Sequence, residues 1–195
     1  MKNVSQLTGK TLSFYGINFS TFSASPNWCG YFEIKVDFSF ELIDEAIFLF
    51  ESFFAPKSKK IMIVTALSYD DSREENISVL QKYNSIYENN KEKNLLAPLT
   101  SCYEKYLFGD IPLPANALNF SFSLNDFIDI SKLIMGHAGV LGQVCFYLNQ
   151  EVGVAIYPHE DIGFGCISLS SDKIICQEFL RYCSSSHNFN VVINS

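Results

Sequence analysis

The run Ile61-Met62-Ile63-Val64-Thr65-Ala66-Leu67 constrains the fold most, because it is β-prone throughout and lacks polar alternation. A strand with apolar side chains on both faces needs cover on both, so the run predicts a buried central strand. Its neighbours read differently. Tyr31 to Val36 alternates, with Phe32, Ile34 and Val36 on one face, the pattern of a half-buried strand. Leu118, Phe120, Phe122 and Leu124 alternate with Asn119, Ser121 and Ser123 in the same way. Leu141–Leu148 and Glu151–Tyr157 flank Asn149-Gln150 and predict a hairpin. A short strand is expected at Ile167–Leu169 and a terminal one at Phe189–Ile193.

Helical periods fall between these strands. Glu41 to Phe54 carries a wide apolar stripe, with Phe48 on its polar side, and Pro56 ends it. Ser72-Arg73-Glu74-Glu75 matches a capping box and opens a helix to about Glu88. Asn125 caps a helix that Gly136 stops, and Ser171 caps one from Asp172 to about Cys183. Residues 1–27 show no clear period beyond a possible strand near Thr11–Tyr15, and Ala97–Ala115, with three Pro and one Gly, reads as a structured loop. The expected fold is therefore α+β, a mixed or mostly antiparallel sheet with about four helices packed on it. It fits a single domain over residues 1–195, with residues 89–115 as the place where two lobes could part.

Composition excludes several function classes. The net charge of −7 opposes nucleic-acid phosphates, and the basic cluster at Lys57, Lys59 and Lys60 is too short to offset it. An acidic chain is matched instead to a basic partner. No apolar run approaches the length of a membrane span. Six cysteines show no C-x-x-C spacing, and MKNVSQLTGK has no apolar core of a secretion signal. Reduced, mostly buried thiols and a cytoplasmic location are expected. Phe is frequent, at 18 residues, so some are buried and some are candidates for partner contact.

The densest chemistry lies in Ile156-Tyr157-Pro158-His159-Glu160-Asp161-Ile162-Gly163-Phe164-Gly165-Cys166-Ile167. His159, Glu160 and Asp161 could form an acid/base or metal-assisted hydrolytic site. One His is a poor start for a metal centre, and adjacent carboxylates on a strand point apart. The plainer reading is a strand–turn–strand corner. In it Pro158 ends pairing, Asp161 bonds nearby amides, and Gly163 and Gly165 supply positive φ. Cys166 reads as a buried inert thiol. No nucleophile elbow, Walker A loop or dinucleotide-binding glycine motif is present. No cofactor or metal is expected. A second acidic cluster, Asp70-Asp71-Ser72-Arg73-Glu74-Glu75, reads as a solvated helix start or a docking patch.

The Glu151–Leu169 stretch resembles the C-terminal signature of a family of small bacterial proteins of unknown function. Its pattern is a strand, an Asp-Asp-Arg-Gly-like turn and a short apolar strand. Asp161, Gly163 and Ile167 fall on that pattern, while Glu160 replaces the first Asp and Ile162 the Arg. The element order across Tyr31–Ala66 is also similar. The resemblance implies no reaction and brings no catalytic residues. In overall style the chain also resembles bacterial toxin-immunity proteins, small acidic α+β chains that block a toxin by covering its active site or a neighbouring surface.

The expectation is thus a non-enzymatic bacterial immunity protein that binds a cognate, basic toxin domain through an acidic surface. The expected contacts are Asp70, Asp71, Glu74, Glu75, Glu160 and Asp161, with Tyr69 and Phe164 as neighbouring aromatics. The alternatives are a small hydrolase built on His159, Glu160 and Asp161, and a structural subunit that self-assembles through exposed Phe.

Overall fold

The computed structural model describes residues 16–57, 60–72 and 77–194. The possible strand at Thr11–Tyr15 and the capping-box residues 73–75 lie outside them. Eight strands form one mixed, mostly antiparallel sheet. They are β1 (Trp28–Ile34), β2 (Ile61–Tyr69), β3 (Ala97–Pro98), β4 (Asn119–Ser121), β5 (Leu141–Asn149), β6 (Val154–His159), β7 (Gly163–Ser168) and β8 (Phe189–Ile193). The order is β3-β2-β5-β6-β7-β1-β8, and β4 also pairs with β2. Only β2–β3 is parallel. Five α-helices accompany it: α1 (Phe40–Phe54), α2 (Ile77–Glu92), α3 (Ser101–Leu107), α4 (Leu124–Met135) and α5 (Ile174–Cys183).

The α+β expectation holds, and the continuous run is a buried inner strand, though it lies second from the edge while β6 takes the centre. β2 pairs along its length with β5 on one edge, and with β4 and then β3 on the other. Its alternate side chains belong to two separate clusters. Ile63 and Leu67 join the helix side, while Val64 and Ala66 join the opposite side.

On the helix side α1, α2, α4 and α5 bury their apolar stripes against the sheet. The centre is aromatic. The Phe50 ring lies 5.0 Å from Phe127, 5.1 Å from Phe164 and 5.2 Å from Tyr147, within the range where aromatic pairs add to simple burial. Phe48, on the polar side of the stripe, is exposed as its position predicts. All six thiols are free, and five are buried, Cys102 being exposed.

The opposite face is covered by irregular chain. Ile17, Phe19, Tyr103, Leu113 and Leu118 pack on Val144, Phe146, Ala155 and Tyr157. The segment expected as loop, Ala97–Ala115, contains α3, the helix absent from the four expected. Its seven residues are too few to show a helical period in sequence. Thr100 caps it by accepting from the Tyr103 amide at 3.2 Å, and the Tyr103 hydroxyl donates to the carbonyl of Ala66 on β2. The polar residues at 89–94 end α2, and the chain then crosses to cover the second face of the same sheet.

Several boundaries move for local reasons. β1 ends at Ile34, so Val36 leaves the strand and is exposed. β4 keeps only three residues of the Leu118–Leu124 alternation, and Phe122 is exposed. The N-cap of α4 is Ser123, not Asn125. The hairpin turn is longer than Asn149-Gln150, and β6 starts at Val154. Asn149 organises it by accepting from the amides of Glu151 at 3.0 Å and Val152 at 3.3 Å. Among the described residues no helix is long and apolar enough to cross a membrane.

Candidate functional site: an acidic groove with an aromatic floor

Pairing between β5 and β6 runs from Asn149–Val154 to Tyr147–Ile156 and stops. Beyond it, β5 continues to Leu141 bound to β2, and β6 continues to His159 bound to β7. Pro158 lies just past the last pair and has no N–H to extend the ladder. Where the two strands part, a groove of about 1260 Å³ opens on the second face. One wall is Val140–Gln143 and the other is His159–Asp161. The 19–23 segment and the end of α3 form the rim.

The floor is aromatic, and a β-bulge makes it so. Register shifts between Trp28 and Gly30, which leaves Cys29 as the extra residue. Cys29 turns into the helix-side core, while Trp28 packs against the second-face cluster. Trp28 and Tyr31 therefore both line the groove despite their odd spacing, with rings 6.1 Å apart. The Trp28 indole N–H donates to the Tyr157 hydroxyl at 2.9 Å. Phe22 meets the Tyr157 ring edge-on at 4.7 Å.

Two glycines keep this floor flat. Gly165 faces Tyr31 in the β1–β7 register. A Cβ on it would stand 2.0 Å from Cζ of Tyr157, so the tyrosine ring lies across a residue that must be glycine. A Cβ on Gly163 would stand 1.8 Å from the Phe32 carbonyl oxygen. Neither glycine has positive φ, contrary to expectation. That role falls to Ile162, at φ 48° and fully buried, an uncommon conformation for a β-branched residue. The strand–turn–strand corner is present, with β6 and β7 joined by residues 160–162, but Pro158 does not end the pairing with β7, which runs on to His159.

Carboxylates surround the floor. Glu33, Asp110, Glu160 and Asp161 line the groove, and no Lys or Arg does so among the described residues. Burial and the nearby Asp161 charge raise the Glu33 carboxyl above its ordinary value. Among the described residues Asp161 makes no side-chain bond to an amide, contrary to expectation. It is its backbone carbonyl that accepts from the Ile34 amide, at 3.1 Å, and the residue is exposed.

His159 does not converge with these acids on one point. Its Nε2 lies 2.9 Å from the Phe32 carbonyl oxygen. A carbonyl only accepts, so Nε2 is the protonated nitrogen. Burial holds the imidazole below its usual range and favours the neutral ring, which meets Tyr31 edge-on at 5.7 Å. Among the described residues no group of three or more His, Cys, Asp or Glu is placed to hold a metal ion.

The other expected contacts lie elsewhere. Phe164 is a correction: it is fully buried on the helix side against Phe50 and Phe127, because alternation along β7 turns it away from the groove. Tyr69 packs on the helix-side cluster, with its ring 6.2 Å from Tyr87 and the Lys91 ammonium 4.3 Å above it. Asp71 pairs with Lys91 at 3.0 Å, and Asp70 accepts from the amide and hydroxyl of Ser72. Glu74 and Glu75 lie outside the described residues. Of the expected contacts, the groove holds Glu160 and Asp161, and it adds Trp28, Tyr31, Glu33 and Tyr157. Tyr31 and Glu33 had a signal in sequence, since they sit opposite Phe32 and Ile34 in the alternation. Trp28 and Tyr157 had none, because the bulge and the parting of β5 from β6 bring them in. No protein-family model, curated protein or solved structure matches the chain.

Proposed function

We propose that this is a non-enzymatic binding protein of the immunity type, acting in the cytoplasm, which neutralises a toxin by seating a basic part of it in the acidic groove. The observation that carries this reading is the lining itself, four carboxylates on an aromatic floor with no cation among the described residues. Such a surface speeds encounter with a positive partner and disfavours others. Phe108, 73% exposed between the groove-lining Leu107 and Gly109, offers an aromatic anchor at the rim, where bound partners bury such side chains. The acidic cluster at Asp70 and Asp71 is the weaker surface, because Lys91 already compensates Asp71.

The test is capture of a partner by the tagged protein from its own source, repeated with charge reversals. Capture is expected to fall with salt and to be lost in Glu160→Lys/Asp161→Lys. It is expected to persist in Asp70→Lys/Asp71→Lys. Co-expression with the captured partner should then relieve its toxicity. A salt-insensitive complex that survives the groove reversals would overturn the reading.

A further inference from the structure

We infer that the groove is a receptor for an extended, arginine-bearing segment of the partner, with one guanidinium stacked on the Tyr31 ring between Glu33 and Asp161. This rests on the reading of the groove as a binding surface and names what that surface takes.

Size separates a chain segment from a small molecule. Pockets for small ligands usually span ~300–1,000 Å³ and enclose them. This groove, at about 1260 Å³, exceeds that range. It lies where β5 and β6 part, with strand Leu141–Gln143 along one wall. An extended segment fits such a cleft with its side chains reaching the floor.

Charge sets the sign of the ligand, and the floor sets its shape. Glu33 and Asp161 are close enough for one to disturb the ionisation of the other. They are tied by adjacent backbone, since the Ile34 amide donates to the Asp161 carbonyl at 3.1 Å. A cation placed between them relieves their repulsion. Tyr31 faces Gly165, across which the Tyr157 ring lies, and Glu33 faces Gly163 in the β1–β7 ladder, so this part of the face is flat and aromatic beside a carboxylate. A guanidinium is planar, stacks on aromatic faces and presents five donors to two carboxylates. A lysine ammonium brings a point charge that uses neither the plane nor the fork.

The single tryptophan, Trp28, lines the groove and reports on it. The full chain would be titrated with acetyl-Gly-Arg-Gly-Arg-Gly-amide while Trp28 fluorescence is followed. The same peptide with citrulline or with lysine in place of arginine serves as comparison. Saturable binding is expected for the arginine peptide, weaker binding for lysine and none for citrulline. Glu33→Gln/Asp161→Asn should weaken the arginine peptide by about tenfold or more, as for loss of charged hydrogen bonds, while Asp71→Asn leaves it unchanged. Equal binding of the citrulline peptide to the unaltered chain overturns the inference, whatever the variants do to folding. So does full affinity in a folded double variant. If the arginine peptide fails to bind but the groove reversals still abolish partner capture, the arginine assignment falls alone. If neither has an effect, both readings fall.

Discussion

The two faces of this sheet are built from the same strands and end up with opposite characters. One is sealed by four amphipathic helices around a cluster of phenylalanines. The other is covered by the 3-10 turns Phe22–Ala24 and Ala115–Ala117, the short α3 and loops, and it leaves an acidic groove open. Helices present a continuous apolar stripe and close a face completely. Irregular segments must keep their backbone polar groups hydrated or bonded, so they cover in patches. The larger apolar cluster therefore lies on the regular side, and Glu33, Asp110, Glu160 and Asp161 gather on the irregular one with no Lys or Arg among the described lining residues.

The strongest way to break this contrast is to remove a ring from the helix side. Phe50 is fully buried and touches five other aromatic rings. Phe50→Ala should cost about 3–5 kcal/mol in denaturant unfolding, while Trp28 emission of the folded population stays unchanged. A loss below about 1 kcal/mol would mean that the helix side is not where stability resides. A smaller effect should come from the groove floor. Gly165→Ala places a methyl against the Tyr157 ring, and overpacking of this kind costs about 1–3 kcal/mol. It should also shift Trp28 emission, because the Tyr157 hydroxyl that the indole binds must move. An unchanged spectrum would show that the ring is not held across the glycine.

The smallest expected effect sharpens the contrast from the acidic side. The folded-state pKa of Glu33 is raised. Its contribution to stability is therefore full below the unfolded value, about 4.3, and is lost as pH rises through the folded one. Glu33→Gln should leave the urea midpoint unchanged near pH 3 and raise it slightly at pH 7, since it removes an ionised group held beside Asp161. A lower midpoint at pH 7 would mean that the carboxylate has a stabilising partner after all. The expected gain is the usual one when a binding charge is removed from a site arranged for a ligand.

Much of the fold was legible in the chain because periodicity and burial are local signals. β2 is covered on both faces because every residue from Ile63 to Leu67 is apolar or small, and α1 lies on the sheet because its stripe is wide. The corner at residues 160–162 follows from Pro158 and the residue types around it. α3 escaped because about two turns show no period. Turn geometry is the local reading of Gly163 and Gly165, whereas in the fold they answer a close approach by residues far away in sequence, which composition cannot display.

The candidate site was legible only in part, and for the same reason. The sequence by itself determined the class of the fold, the acidic balance of the chain, and the placing of Glu160 and Asp161 on a turn. It could not decide which carboxylates keep a cation. Asp71 meets Lys91 because α2 folds back beside the end of β2, while Asp161 meets Glu33 because β1 lies next to β7. It could not place Phe164 either, since alternation states that two faces exist but not which one the helices will cover. Those choices are made by strand order, by the bulge at Cys29 and by the early end of the β5–β6 ladder. All three depend on contacts between distant residues, and only the folded chain contains them.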